Sequence, residues 1–267
     1  MRRLRTLVGG AAAGLLLTAG GAFAQQPARI DGKPNLNGVW QVMNGADWAL
    51  EPHEAEQAPA APEKLGALAA RPAGIGVVDG GRIPYLPAAL QKRDANAKAA
   101  PAADPEAACY LPGIPRATYI PLPFQIVQGG RDDILIAYEY GNANRVIHMQ
   151  KAEEPPIDTW MGTSYGAWDG DTLTVVTLGQ NGRTWLDRAG DYLTPTAKVT
   201  ERFTAKDRDH MLYEATIEDP AVYSRPWKIS MPLYRHIEAN AQLVEFNCVP
   251  FSEQLIYGDL LDKKDAK

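Results

Sequence analysis

Residues 160–177 read WMGTSYGAWDGDTLTVVT, and this stretch decides the fold. Trp160, Gly162, Ser164, Gly166 and Trp168 fall at every second position. Asp169-Gly170-Asp171 interrupts them, and Leu173, Val175 and Thr177 then alternate again. A period of two on both sides of an Asp-Gly turn is the sequence form of a β-hairpin. The first strand sets small residues between two tryptophans, which leaves room for backbone or a ligand to come close. The reading is a β-structured container, not a nucleotide-binding α/β fold.

On both sides of the hairpin, alternating segments follow one another at short spacing. Strands are predicted over 36–42, 125–128, 134–140, 145–150, 164–168, 172–178, 198–204, 211–218, 227–233 and 243–248. Gly129-Gly130, Gly141-Asn142, Asp169-Gly170 and Asp207-Arg208-Asp209 separate several of them; these residue types form tight turns. Such a meander predicts a mainly β fold: an antiparallel up-and-down, lipocalin-like barrel or a strongly curved sheet. Closure would remove exposed strand edges. Gly38-Val39-Trp40 opens the first strand; in lipocalin-like barrels a tryptophan so placed plugs the closed end. Residues 46–108 shift to Ala, Pro, Glu and Lys, with prolines at 52, 59, 62, 72, 84, 87, 101 and 105. Proline at that density excludes a long helix. The segment reads as a helical and irregular excursion across the barrel, with short helices at 62–70 and 87–99, each opening on a proline.

The first 24 residues have the form of a secretion signal: Arg2, Arg3 and Arg5, a short apolar run, and Ala22-Phe23-Ala24 before Gln25. The run is glycine-broken and shorter than the roughly 20 residues a spanning helix needs. Residues 25–267 then form one domain, expected in the periplasm or the medium, with no membrane insertion. The chain carries a net charge of -5, and loss of those three arginines makes the remainder more acidic. An acidic chain without basic clusters is a poor partner for nucleic acid or anionic lipid. Cys109 and Cys248 are the only cysteines. In an oxidising compartment an even pair points to one disulfide, tying the start of the β region to its last strand. On the chain-entropy model a loop this long stabilises by at most about 5 kcal/mol. A metal site using the thiols is the alternative, but no histidine stands at ligand spacing.

Several blocks resemble a widespread family of secreted bacterial proteins of unassigned activity: IPYLPAALQKR, DPEAACYLPGIPRATYIPLPFQIVQ, ILIAYEYGNANRVIHM, WMGTSYGAWDGDTLTVVT, TWLDRAG and ERF…LYEATIEDPAVYSRPW. The resemblance implies a single β domain and the Cys109–Cys248 pair. It brings no activity. The chain departs from the pattern at 150–155, where relatives continue Asp-Gly-Arg-x-His-Pro, and at Thr163, often histidine in relatives. If those histidines serve a metal in relatives, that site is expected to be missing here.

Candidate chemistry starts from His148. Alternation places it with Val146 and Gln150, opposite Ile147 and Met149, so it lines a cavity or faces water above an apolar underside. A cavity-facing imidazole would serve as general acid or base. Glu201 shares a face with Val199 and Phe203. If that face is internal, desolvation raises its pKa unless a cation compensates; otherwise it is an edge carboxylate paired with Arg145 or Arg225. Asp169 and Asp171 have a sufficient role in the hairpin turn. Trp185, Asp187, Asn181 and Arg183 lie in the long loop 179–197, which could wall a barrel mouth. There Asp187 is either a functional carboxylate or a loop cap.

Tryptophans and tyrosines outnumber phenylalanines, as suits a pocket for a ring-bearing ligand and equally a packed core. Gly162-Thr163-Ser164-Tyr165-Gly166 matches Gly-x-Ser-x-Gly in letters but lies within a strand, not at a strand-to-helix turn. No phosphate loop, dinucleotide fingerprint, zinc motif or calcium loop is present, so no cofactor is expected. The leading expectation is a barrel binding a small apolar or aromatic molecule, with or without acid/base turnover. His148 and Glu201 would be acid and base, Asp187 and Tyr138 orienting groups, and Trp160, Trp168, Asn181 and Trp185 the ligand contacts. A non-catalytic carrier and a structural or interaction protein of the envelope are the alternatives, the latter favoured by an interior packed with side chains.

Overall fold

A computed structural model describes residues 26–56, 70 and 72–258. The signal segment 1–24 and nearly all of the helix predicted at 62–70 lie outside the described residues. A two-residue hairpin, β1 (Arg29–Ile30) with β2 (Lys33–Pro34), precedes the barrel. The barrel strands are β3 (Gly38–Gln41), β4 (Phe124–Val127), β5 (Ile134–Tyr138), β6 (Asn144–His148), β7 (Thr163–Asp169), β8 (Thr172–Leu178), β9 (Lys198–Ala205), β10 (His210–Glu218) and β11 (Trp227–Arg235). They pair in chain order and close through β11 onto β3.

The sheet is mixed, not wholly antiparallel: β6 and β7 run parallel, with Ile147 opposite Ser164. Nine strands force this. Directions that alternate around an odd-numbered ring must match once, and the crossover 149–162 supplies the match. The hairpin read from sequence is present as β7–β8, in register from Thr163–Leu178 to Asp169–Thr172. Gly170, at φ 59°, opens its two-residue turn, where a side chain would be strained.

Alternation decides what fills the barrel. Along β8 to β11 the inward residues include Leu173, Val175, Val199, Phe203, Met211, Tyr213, Ile217, Trp227, Ile229 and Leu233, all buried. The small positions of β7 do not hold space for a ligand. A side chain at Gly166 would collide with Ile147 and Met149, and Ser164 bonds Arg145. Buried Trp40 donates its indole N–H to the Leu36 carbonyl at 2.9 Å and lies under the Arg235 guanidinium at 4.2 Å.

The excursion covers one end of the barrel, called here the top. Helix α1 (Pro87–Ala99) forms where expected and begins with proline. A 3-10 turn (Pro105–Ala108) and helix α2 (Arg116–Tyr119) follow. Residues 77–79 bond β11 through Asp79 N to Lys228 O and Ser230 N to Val77 O. This protects the stretch of β11 that short β3 does not reach, since β3 pairs only with Tyr234 and Arg235.

The disulfide joins Cys109 to Cys248. Residues 243–248 are not a strand, however. The ring is already closed and residues 77–79 cover the rest of β11, so the bridge pins an irregular tail that ends in helix α3 (Ser252–Tyr257). The tail bonds the top through Val244 N to Glu139 and Asn142 to the Phe246 carbonyl.

Candidate functional site

The ionisable group that alternation turns inward on β6 is Arg145, and it organises the barrel interior. Its Nη1 donates to Glu201 Oε1 on β9 at 3.1 Å, and its Nη2 makes a shorter bond to Glu201 Oε2. Nε donates to Ser164 Oγ on β7 at 2.7 Å, and Nη2 also reaches Thr177 Oγ1 on β8 at 3.0 Å. Tyr138 on β5 accepts from Nη1 at 3.3 Å, and Tyr213 on β10 donates to Glu201 Oε1 at 2.9 Å. Six consecutive strands therefore contribute one polar side chain each, and every one is buried.

Electrostatics in this network follow from burial and pairing. Burial disfavours the Arg145 charge, but Glu201 and Tyr138 together oppose it and the guanidinium pKa is raised overall. Burial raises the Tyr138 and Tyr213 hydroxyls, and the Glu201 charge adds to both. Both phenols therefore keep their protons and Arg145 its charge. Glu201 faces inward, as its alternation allowed, and its partner is Arg145, but the pair sits in the core and not at a sheet edge. A carboxylate bound on both oxygens and sealed from solvent has no route to a substrate proton.

The remaining expected site residues do not converge on it. His148 lies on the outer face of β6, 41% exposed at its side chain, with Nδ1 2.8 Å from Asp133 Oδ2. It lines no interior cavity. Asp133 is held below the usual carboxylate range by the Met149 backbone N–H and by His148. Asp187 is buried as a loop cap, accepting Leu50 N at 2.8 Å and Asp191 N at 3.1 Å. Burial, then the neighbouring Asp191 charge, raise its pKa well above the ordinary value.

The expected ligand contacts are likewise dispersed. Trp160 stacks on Tyr110 with ring centres 4.6 Å apart. Trp168 packs against the core with Lys33 Nζ 5.9 Å from its ring. Asn181 accepts Arg183 N within its own loop, and Trp185 is buried in a bridge to Tyr192.

A second buried ionic cluster, under the top loops, gave no periodic signal in the sequence. Arg116 on α2 forks onto Asp104 at 2.8 and 2.9 Å and bonds Asp47 at 2.8 Å and Glu106 at 3.1 Å. Arg188 bonds Glu106 at 3.0 Å and lies 3.5 Å from Asp47. Asp104 also caps the 3-10 turn by accepting Glu106 N, so a DPE sequence before a short turn was its only local sign. Burial raises the Glu106 pKa against the opposing pull of Arg116. All three carboxylates are spoken for by arginines. Among the described residues, no group of three His, Cys, Asp or Glu side chains is placed to hold a metal ion, and no helix is long and apolar enough to cross a membrane.

Open space is found at the other end. A cleft of about 370 Å3 opens at the bottom rim beside Arg208, Asp209, Arg235 and His236. Sequence reasoning missed it, because its residues come from the chain lead, the β9–β10 turn and the end of β11. No known protein family, curated protein or solved structure matches this chain.

Proposed function

We propose that the chain is an exported, non-catalytic barrel protein of the envelope that acts through its outer surface and rims. Export rests on the form of residues 1–24 and accords with the disulfide. One observation carries the non-catalytic part: Arg145 and Glu201 neutralise each other inside a core of buried side chains. Enzymes keep perturbed ionisable groups within reach of a substrate. Here the inward ionisable groups are paired, and the imidazole of His148, on the outer face, stands beside Asp133 and the Tyr165 ring. The carrier reading required a hollow, and the side chains of β8 to β11 occupy that volume.

Titration of the protein with neutral apolar and aromatic molecules, followed by tryptophan fluorescence and product analysis, tests this. The expected result is no saturable quenching and no product. Saturable one-to-one binding of a neutral aromatic ligand, or turnover lost in Glu201→Gln, would replace it with the carrier or the enzyme.

A further inference from the structure

The rim cleft is built differently from the saturated interior. Arg235 spends Nε on the Arg208 carbonyl at 2.7 Å and Nη1 on the Asn37 carbonyl, with its plane over Trp40. Its Nη2 has no hydrogen-bond partner among the described residues. Arg208 spends Nε and Nη2 on the Asp209 carboxylate at 3.1 and 2.9 Å, and its Nη1 has no hydrogen-bond partner among the described residues. Asn35 accepts Asn37 N with its carbonyl oxygen at 3.0 Å, and its amide nitrogen is likewise without a partner among the described residues. Three donor groups from three chain segments therefore line one opening.

Charge and shape narrow what they would receive. Within the lining two guanidiniums face one carboxylate, Asp209, and the carboxylates of Asp207 and Glu238 stand just outside it. His236 is held by Gln41 at 3.0 Å, with Glu238 3.6 Å away. Burial and the neighbouring Arg208 charge both work against the Arg235 charge, and Asp209 offsets them only in part. An added anion would relieve that imbalance. Beside the donors stand Pro27, Ala28 and the side chain of Ile237, which is 73% exposed. The volume is that of a small-molecule site and exceeds a bare inorganic ion's need.

We infer that this rim cleft binds a small organic acid, its carboxylate on Arg208, Arg235 and Asn35 and its apolar body against Pro27, Ala28 and Ile237. The neighbouring carboxylates Asp209, Asp207 and Glu238 disfavour a phosphate dianion relative to a monoanion, and the arginine edges suit a planar carboxylate. The inference stands apart from the non-catalytic reading, since it uses no interior group.

Calorimetric titration of the full chain with benzoate tests it, with benzyl alcohol and inorganic phosphate as comparison ligands. Saturable one-to-one benzoate binding is expected, weaker by about tenfold or more for both comparison ligands and for benzoate on the exposed variant Arg208→Gln. Arg235→Lys, which keeps the charge and loses the fork, should weaken benzoate as well. If that variant unfolds, Asn35→Ala takes its place. No saturable benzoate binding, binding unchanged by Arg208→Gln, or phosphate bound as tightly as benzoate would each overturn the assignment. Tight benzyl alcohol binding would indict the filled-interior reading instead, and would overturn the acid assignment too.

Discussion

Arg145 in the barrel and Arg116 under the top loops are equally sealed from water, yet they are neutralised by different means. Arg145 has one carboxylate and a surround of hydroxyls, each delivered by its own strand. Arg116 has three carboxylates, Asp47, Asp104 and Glu106, all delivered by the excursion. The interior network is balanced. The cap carries more carboxylates than arginines, even with Arg188 counted; burial raises its carboxyl Glu106, and Asp47 adds to that rise against the pull of Arg116 and Arg188. In the barrel, strand alternation places a neutral pair with no help from loops; in the cap, three loop carboxylates gather around one arginine.

The largest effect is expected where most charge would be orphaned. Arg116→Met leaves three buried or half-buried carboxylates to Arg188 alone, and should cost at least the roughly 3–5 kcal/mol typical of a broken buried pair. Urea unfolding measures it; a loss under about 1 kcal/mol would mean that the cap is hydrated. Next comes the tail strap. Replacing Cys109 and Cys248 together by serine should cost about 2–5 kcal/mol and expose residues 243–251 to protease while the barrel stays folded. Unchanged protease resistance would show that the tail is held by its own contacts.

The smallest expected effect is a pH slope from Asp187. Its folded pKa is raised by burial and by Asp191, so its stabilisation is complete below the unfolded value of about 4. That stabilisation is lost as pH rises through the folded value. The unfolding midpoint of the native chain should therefore fall, relative to that of Asp187→Asn, as pH rises above about 4. Parallel pH profiles for the two proteins would remove Asp187 as the cause. The carboxyls Asp133 and Asp171, exposed, and Asp207, half-buried, are lowered by their partners, and their loss of stability belongs to lower pH.

The barrel was legible because its signal is local. Strict alternation in β7 to β11, bounded by Gly and Asp turns, fixes strand after strand within a residue or two. The predicted strand at 243–248 failed for a non-local reason: the ring was already closed, and Val244 alternates on a tail where it is 61% exposed. The parallel junction was hidden likewise, since it follows from the strand count around the ring. In the candidate site, alternation correctly separated His148 from Ile147 but carries no sign for inside. Arg145 shares its face with Ile147, and that company was the available clue to its burial. Arg116 and the rim cleft draw on segments far apart in sequence with no period to join them, so only three dimensions reveal them.

A barrel interior closed over a mutually satisfied pair is tested most directly by a double-mutant cycle on Arg145 and Glu201. Arg145→Met and Glu201→Met alone should each cost about 3–5 kcal/mol, because each leaves a charge stranded in the core, whereas the double variant should recover most of that loss. Single losses below about 1 kcal/mol that simply add would contradict it, since only water inside the barrel could solvate the partner left behind.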